Sequence, residues 1–210
     1  MLRWFESDQI QIWAEAASSD IIAFYRRHSI EFGRSGASLF LEKFKPDDNA
    51  TVARQLFPEA REILLVRDFR DMVASIIAFN NRRQALDFGA TAALSNSEYV
   101  SVLRSSVEAL LEVRESRPDV LVLRYEDLIL NEHEELAKVL IHIGADPSGD
   151  TVAELLRNAH LSSSLSTRLE HRTSADAVQS VGRWRQDLPT DVVETCQREF
   201  KDALGAFGYS

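Results

Sequence analysis

Two short and almost entirely apolar runs constrain the fold of this chain more than any other feature of its sequence. They lie at residues 62–66 and 120–123. Runs of this kind, which lack the alternation of a half-exposed strand, are typical of strands covered on both faces of a parallel sheet. A third and shorter run at residues 39–41 is predicted to be a further strand of that sheet.

Helical patterns separate and follow these runs. Ser95 and Glu98 form a predicted capping box that starts one helix, and another helix is predicted to stop at Gly144. The first thirty residues predict two helices with a break at residues 18–20, and a last helix is predicted from about residue 191 to residue 204. Strands that alternate with helices indicate an α/β domain with a parallel sheet flanked by helices.

Length and charge set the domain organisation and exclude some partners. The chain has 210 residues, of which 45% are hydrophobic, and this is enough for one well-buried domain. We predict a helical N-terminal segment over residues 1–37 and an α/β core over residues 38–210. A net charge of −9 argues against nucleic acid as a partner, so any anionic ligand must be bound by a local group of arginines.

The cysteine and hydropathy patterns predict a cytoplasmic protein. The single cysteine, Cys196, lies at helical spacing among apolar residues and is predicted to be a packed core thiol in a reducing compartment. No stretch approaches the roughly 20 apolar residues of a membrane span. The N-terminus shows no pattern of a secretory signal.

Charged residues follow the predicted strands, at the edge of a parallel sheet where ligands gather. Arg67 comes directly after the run at 62–66, and Ser75 lies eight residues further on, close to the same face of the next helix. An arginine fork and a hydroxyl at such a junction can hold one phosphate group. The alternative is a structural ion pair between Arg67 and Asp68 or Asp71, and the spacing alone does not decide between them.

Three segments, in the expected order, resemble motifs of the sulfotransferase family, and of its bacterial type in particular. Residues 63–75 are similar to the family's 3′-phosphate-binding motif, with Phe69 where the family usually has proline. Residues 123–128 look like its strand ending in Tyr-Glu-Asp-Leu, and residues 180–185 are similar to its Gly-Arg-Trp-Arg loop. The resemblance implies a P-loop-NTPase-like fold and a chain that uses 3′-phosphoadenosine 5′-phosphosulfate as donor, without a metal. The acceptor would be a hydroxyl or amine on a small molecule or a carrier.

The same resemblance implies a set of nucleotide-binding residues in this chain. They are Arg67 and Ser75 at the 3′-phosphate, Tyr125 near the nucleotide, and Ser180, Gly182 and Arg183 in the loop that covers it. The alternatives are an ordinary boundary aromatic for Tyr125 and a solvated basic turn for residues 180–185. The polar run at residues 162–179 is predicted to be a lid that nucleotide orders.

Glu42 and Lys43 resemble the acidic residue and lysine that precede the 3′-phosphate motif in many relatives. By that resemblance Glu42 is the general base that deprotonates the acceptor. Lys43 would balance the charge that develops on the departing nucleotide. The alternative is a solvated pair of charges after a strand.

The family normally opens with a strand and a phosphate loop that binds the 5′-phosphosulfate at a helix N-terminus. Residues 33–38 contain similar residue types but lie too close to Arg67 in sequence. We therefore predict that this strand and loop are missing from these 210 residues, either because they belong to a longer parent chain or because they have been lost. Two functions then remain open, which are an active sulfotransferase and a catalytically inactive nucleotide-binding or interaction domain. A phosphate-loop kinase is disfavoured because the sequence lacks a Gly-Lys-Ser/Thr segment.

Overall fold

A computed structural model describes residues 8–46, 48–83, 95–163, 173–174 and 176–209. The chain divides into two compact units, residues 1–60 and residues 61–210. The boundary between these packing units falls after Ala60, whereas the predicted segments meet at residue 37. The assignment of one domain to the whole chain stays a prediction.

The described part of the first unit contains two helices, α1 (Asp8–Glu31) and α2 (Asp48–Leu56). The prediction of two helices within the first thirty residues is wrong, because α1 continues through residues 18–20. The Ser18 hydroxyl lies 2.7 Å from the carbonyl oxygen of Ala14 and 2.8 Å from that of Leu56. Because the Ser18 hydroxyl already has these carbonyl partners, it does not compete for the backbone groups of the helix. Its contact with Leu56 also joins α1 to the end of α2.

The predicted strand at residues 39–41 does not form. Residues 37–45 are irregular, and the Leu41 side chain is 89% exposed. A strand needs a neighbour that pairs its N–H and C=O groups, and no described residue pairs with this segment in a ladder. Apolar composition alone did not distinguish a strand from an irregular segment here.

The other two predicted strands are confirmed in the second unit. They are β1 (Ile63–Val66) and β2 (Leu121–Arg124), which pair in parallel with Ile63 opposite Leu121 and Val66 opposite Arg124. Because the strands are parallel, their carboxyl ends lie at the same edge of the sheet. The fold of this unit is therefore α/β, mostly helical, with a small parallel sheet, which is consistent with the predicted P-loop-like class.

Helices follow and flank this sheet. In chain order they are α3 (Phe69–Arg83), α4 (Asn96–Ser116), α5 (Tyr125–Leu130), α6 (Glu132–His142), α7 (Gly149–Ser163), α8 (Trp184–Asp187), α9 (Thr190–Glu199) and α10 (Lys201–Ala206). The capping box of Ser95 and Glu98 is present at the start of α4. The helix predicted to stop at Gly144 ends at His142, and Gly144 has the left-handed φ of 73° that glycine tolerates best. The last predicted helix is divided into α9 and α10 at Phe200.

The core of the second unit forms where α3 meets the C-terminal helices. The Phe69 ring meets the rings of Phe200, Phe207 and Tyr209 edge to face, at centroid distances of 5.8, 5.9 and 6.2 Å. Phe69 is the first residue of α3, a position where proline is tolerated, and its ring contributes core contacts that a proline could not make. Cys196 is fully buried, which confirms the prediction of a packed core thiol, and burial raises the pKa of that thiol to about 12. Among the described residues, no helix is long and apolar enough to cross a bilayer.

Candidate functional site

Arg67 follows β1 at the carboxyl edge of the sheet, and its side chain is partly buried. Its Nη2 donates a hydrogen bond to the backbone oxygen of Ser180 at 2.7 Å, and its guanidinium lies 4.8 Å from the centre of the Tyr125 ring. Its Nε is buried and has no hydrogen-bond partner among the described residues. The guanidinium therefore keeps donor capacity for an anion.

The predicted alternative is an ion pair between Arg67 and Asp68 or Asp71, and neither pair forms in the structure. The Asp68 carboxylate instead forms a two-pronged pair with Arg70, with 2.9 Å from Nε to Oδ1 and 2.8 Å from Nη2 to Oδ2. Asp71 accepts hydrogen bonds from backbone amides. Arg67 thus stands beside two aspartates whose hydrogen-bonding capacity is used by other groups.

Tyr125 and Ser180 complete the surroundings of Arg67. Tyr125 is the first residue of α5, directly after β2, and its hydroxyl lies 3.1 Å from the Ser180 hydroxyl. The Ser180 hydroxyl donates its hydrogen to the carbonyl of Ala177 at 2.5 Å, so the Tyr125 hydroxyl is the donor toward Ser180. Arg67, Tyr125 and Ser180 form one cluster at the strand ends.

Asp71, in the first turn of α3, attaches the loop at residues 182–184 to the helix. Its side chain is fully buried and accepts the backbone N–H groups of Gly182 at 2.6 Å and of Trp184 at 2.8 Å. Burial raises the pKa of this carboxyl, and the two amide hydrogen bonds oppose that rise. Gly182 has a left-handed φ of 72°, and a Cβ on it would lie 3.0 Å from Nη1 of Arg185, so this turn favours glycine.

Ser75 and Arg183 meet at a residue that the sequence analysis did not select. The Ser75 hydroxyl lies 3.2 Å from the Thr173 hydroxyl, to which Nη1 of Arg183 donates at 2.9 Å. The Arg183 guanidinium also pairs with Asp187, with its Nε 2.6 Å from Oδ2. Unlike Arg67, Arg183 therefore has a carboxylate partner in direct contact.

Buried hydrogen bonds to the Glu126 carboxylate hold the backbone that follows β1. Glu126 accepts the backbone N–H of Asp68 at 2.9 Å through one carboxylate oxygen. Its other oxygen accepts the Tyr209 hydroxyl at 2.8 Å. The network fixes the segment after β1 to α5 and to the C-terminal end of the described chain, so Arg67 projects from a firmly held backbone.

Five of the six predicted nucleotide-binding residues therefore take part in two neighbouring groups of contacts. Arg67 and Tyr125 contact Ser180, Ser75 and Arg183 share Thr173, and Gly182 lies between these contacts on the Asp71 carboxylate. The sequence predicts Asp71 only as an ion-pair partner, although its spacing of four residues from Ser75 places both on one face of α3. Thr173 lies within the polar run at residues 162–179, but no local pattern predicts its contacts with Ser75 and Arg183.

An open polar pocket of about 450 Å³ lies along this loop. Its lining includes Thr173, Gln179, Gly182, Arg183 and Gln186. The lid predicted over residues 162–179 falls largely on residues 164–172 and 175, which lie outside the described residues. Within the described ranges no group of three or more His, Cys, Asp or Glu side chains could hold a metal ion.

Glu42 and Lys43 belong to the first unit. Both side chains are exposed in the irregular segment that replaces the predicted strand. Residues 33–38 lie in turns and irregular chain after α1, and the next helix begins only at Asp48, so they do not have the strand–loop–helix arrangement of a phosphate loop. The catalytic roles of Glu42 and Lys43 stay predictions.

The fold and this arrangement are typical of α/β proteins whose ligand site lies beyond the carboxyl ends of parallel strands. The family model described as the sulfotransferase domain matches residues 48–208, which is most of the chain, and the chain belongs to the sulfotransferase family. No curated protein and no solved structure matches it. The matched range contains all six predicted nucleotide-binding residues, whereas Glu42 and Lys43 precede it.

Proposed function

We propose that this chain transfers a sulfuryl group from 3′-phosphoadenosine 5′-phosphosulfate to a hydroxyl or amine on a small-molecule or carrier-bound acceptor. Membership of the sulfotransferase family supports sulfuryl transfer in general. The observation that carries the donor assignment is Arg67, a guanidinium at the strand end. Within the described ranges its buried Nε has no hydrogen-bond partner and its guanidinium pairs with no carboxylate. A dianionic phosphate is the ligand that such a donor fits best.

The residues around Arg67 fit the 3′-phosphate of this nucleotide in charge and in hydrogen-bonding type. Arg67 and Ser75 would hold the phosphate oxygens, since one offers a charged fork and the other a hydroxyl. Tyr125 offers a ring face already in contact with a guanidinium, and Ser180, Gly182 and Arg183 would place the loop over the nucleotide. The donor, when bound, supplies the sulfuryl group, and this part of the chain binds and orients it.

The chemical step would need a base for the acceptor and a cation for the leaving group, which we assign to Glu42 and Lys43. A carboxylate removes the proton of the attacking hydroxyl or amine, and an ammonium group stabilises negative charge on the departing nucleotide. Their exposure leaves both side chains accessible to substrate. The assignment to the bacterial type of the family rests on the Gly-Arg-Trp-Arg sequence at residues 182–185.

A second candidate is a nucleotide-binding or interaction domain without catalytic activity. It is favoured by the fact that the proposed nucleotide residues lie inside the range matched by the family model and the proposed catalytic pair lies outside it. Binding of the donor nucleotide without release of its sulfuryl group to any acceptor would support this candidate over an active enzyme.

Calorimetry with adenosine 3′,5′-bisphosphate and with ATP tests the donor assignment. We expect the wild-type protein to prefer the bisphosphate, because Arg67 and Ser75 would recognise a 3′-phosphate that ATP lacks. Replacing Arg67 by alanine should weaken binding of the bisphosphate by about 1.5–3 kcal/mol, the usual contribution of a charged hydrogen bond.

The matched control is Arg157→Ala, which removes the same charge from an exposed position of α7. Its affinity should stay close to that of the wild type. Equal affinity of Arg67→Ala and wild-type protein for the bisphosphate would refute the role of Arg67.

A further inference from the structure

Three residues at intervals of four lie between the end of β1 and the second turn of α3. Arg67, Asp71 and Ser75 each contact a different point of the segment formed by the described residues 173–174 and 176–184. Helical spacing places Asp71 and Ser75 on one face of α3, and Arg67 reaches the same segment from the junction between β1 and α3. We call this segment the docking loop.

The three contacts are unequal. Arg67 donates one hydrogen bond to the Ser180 oxygen, and the Ser75 and Thr173 hydroxyls share one. Asp71 accepts two, from the backbone amides of Gly182 and Trp184, and its carboxylate is fully buried. The bonds of Arg67 and of Asp71 are charge-assisted and the Ser75 contact is neutral, so Asp71 holds the docking loop by two strong bonds and Arg67 by one.

The two single contacts, those of Arg67 and Ser75, use the groups that a phosphate would need. If Arg67 and Ser75 turn toward the 3′-phosphate, their hydrogen bonds to Ser180 and Thr173 are weakened or lost. Without another attachment, binding of the nucleotide would loosen the docking loop at the moment when the loop is needed. Asp71 can keep both of its bonds throughout, because its carboxylate is not a donor and repels the phosphate.

We propose that Asp71 is a positioning residue of the nucleotide site, which holds the docking loop against α3 while Arg67 and Ser75 exchange their loop contacts for the 3′-phosphate. This inference rests on the proposed function, since it assumes that the nucleotide binds at Arg67 and Ser75. Asp71 itself touches no ligand in this scheme. It acts through the backbone of Gly182 and Trp184.

Removing the charge of Asp71 should change the nucleotide affinity in one direction if Asp71 positions the loop, and in the opposite direction if only its charge matters. Asp71 lies close enough to Arg67 for their charges to interact, so its negative charge by itself opposes binding of an anion. Asp71→Asn would then tighten nucleotide binding if only charge mattered. It should weaken binding if the loop attachment matters, because asparagine can accept one of the two amides and turns its own N–H toward the other.

Hydrogen exchange on the full chain tests the attachment without reference to activity. In the wild-type protein the amides of Gly182 and Trp184 should exchange slowly, and they should stay protected when adenosine 3′,5′-bisphosphate is added. Asp71→Asn should speed exchange at both amides, whereas Asp202→Asn, which removes the same charge from an exposed position of α10, should not. Fast exchange in the wild type, or loss of protection on adding nucleotide, overturns the proposal even if the variant fails to fold.

Calorimetry of the folded variants supplies the second readout. We expect Asp71→Asn to raise the Kd for adenosine 3′,5′-bisphosphate about tenfold, and Asp202→Asn to leave it unchanged. Unchanged or tighter binding by Asp71→Asn, with normal binding by the wild type, overturns the positioning role and leaves the proposed function standing. Absence of binding by the wild-type protein itself refutes the proposed function, and the positioning role fails with it.

Discussion

Four arginines lie near the strand ends, and their partners give them different capacities. Arg70 pairs with Asp68, Arg124 with Asp127 and Arg183 with Asp187, so a carboxylate already lies against each of these guanidinium groups. Arg67 instead contacts a carbonyl oxygen and the ring of Tyr125. Because an anion must displace existing partners before it can bind, Arg67 is the arginine of this group that binds an anion at least cost.

Glu42 is the residue to test for catalysis. Glu42→Gln keeps the shape of the side chain and removes its basicity, so turnover should fall by about 10²–10⁴, while donor binding should hardly change. Release of adenosine 3′,5′-bisphosphate from the donor, measured with panels of phenol, alcohol and amine acceptors, gives the rate. Calorimetry gives the affinity.

Glu59→Gln is a matched control, since Glu59 is another exposed carboxylate of the first unit. Its turnover should equal that of the wild type. Near-normal turnover of Glu42→Gln would refute the role of general base and favour the alternative, in which Glu42 is a solvated charge.

At the scale of elements, α3 and α4 illustrate two ways in which a helix start is stabilised. The start of α4 is local, because Ser95 and Glu98 satisfy each other's backbone N–H groups. The start of α3 combines a local contact, in which the Asp68 carboxylate accepts the N–H of Arg70, with a distant one, in which Glu126 accepts the N–H of Asp68 from a position 58 residues further along the chain. Local caps can be predicted from the sequence, whereas the contact with Glu126 required the fold.

The capping box should contribute to the stability of the second unit. Ser95→Ala removes the hydroxyl that accepts the Glu98 N–H, and we expect a loss of about 0.5–2 kcal/mol in the free energy of unfolding. Ser105→Ala, at an exposed position in the middle of the same helix, should be neutral or slightly stabilising because alanine favours helix. Urea unfolding of both variants gives the comparison, and equal stabilities would argue against a contribution from the cap.

At the scale of the second unit, the buried Glu126 carboxylate joins the ends of the two strands to the C-terminal end of the unit. Glu126 contacts the segment after β1 and the Tyr209 hydroxyl, and the Arg124 guanidinium lies 4.5 Å from the centre of the Tyr209 ring. Burial raises the pKa of Tyr209, so its hydroxyl stays protonated and donates to Glu126. The candidate site is therefore held in place by residues from both ends of this unit.

Tyr209→Phe should destabilise this unit by about 1.5–3 kcal/mol, because one oxygen of the buried Glu126 carboxylate loses its hydrogen bond. Tyr99→Phe is the matched control, since Tyr99 is also buried and its hydroxyl makes no hydrogen bond to a described residue. Urea unfolding should show a larger loss for Tyr209→Phe than for Tyr99→Phe. Equal losses would mean that the Glu126 network adds nothing to stability.

The sequence by itself determined β1, β2, the cap of α4, the core position of Cys196 and the family of the chain. These features depend on short patterns, such as the length of an apolar run, the spacing of a cap or the order of three motifs. The sequence also selected Arg67, Ser75, Tyr125 and the loop residues that the structure gathers at one edge of the sheet.

Only the tertiary structure decided the rest, because those features depend on contacts between residues far apart in the chain. Residues 18–20 continue α1 since Ser18 finds carbonyl partners there, and residues 39–41 form no strand since no neighbour pairs with them. The attachment of Gly182 to Asp71 joins positions 111 residues apart, and the contact between Ser75 and Thr173 spans 98. No local pattern specifies which carboxylate, amide or hydroxyl will meet across such distances, since the packing of α3 against the docking loop brings them together.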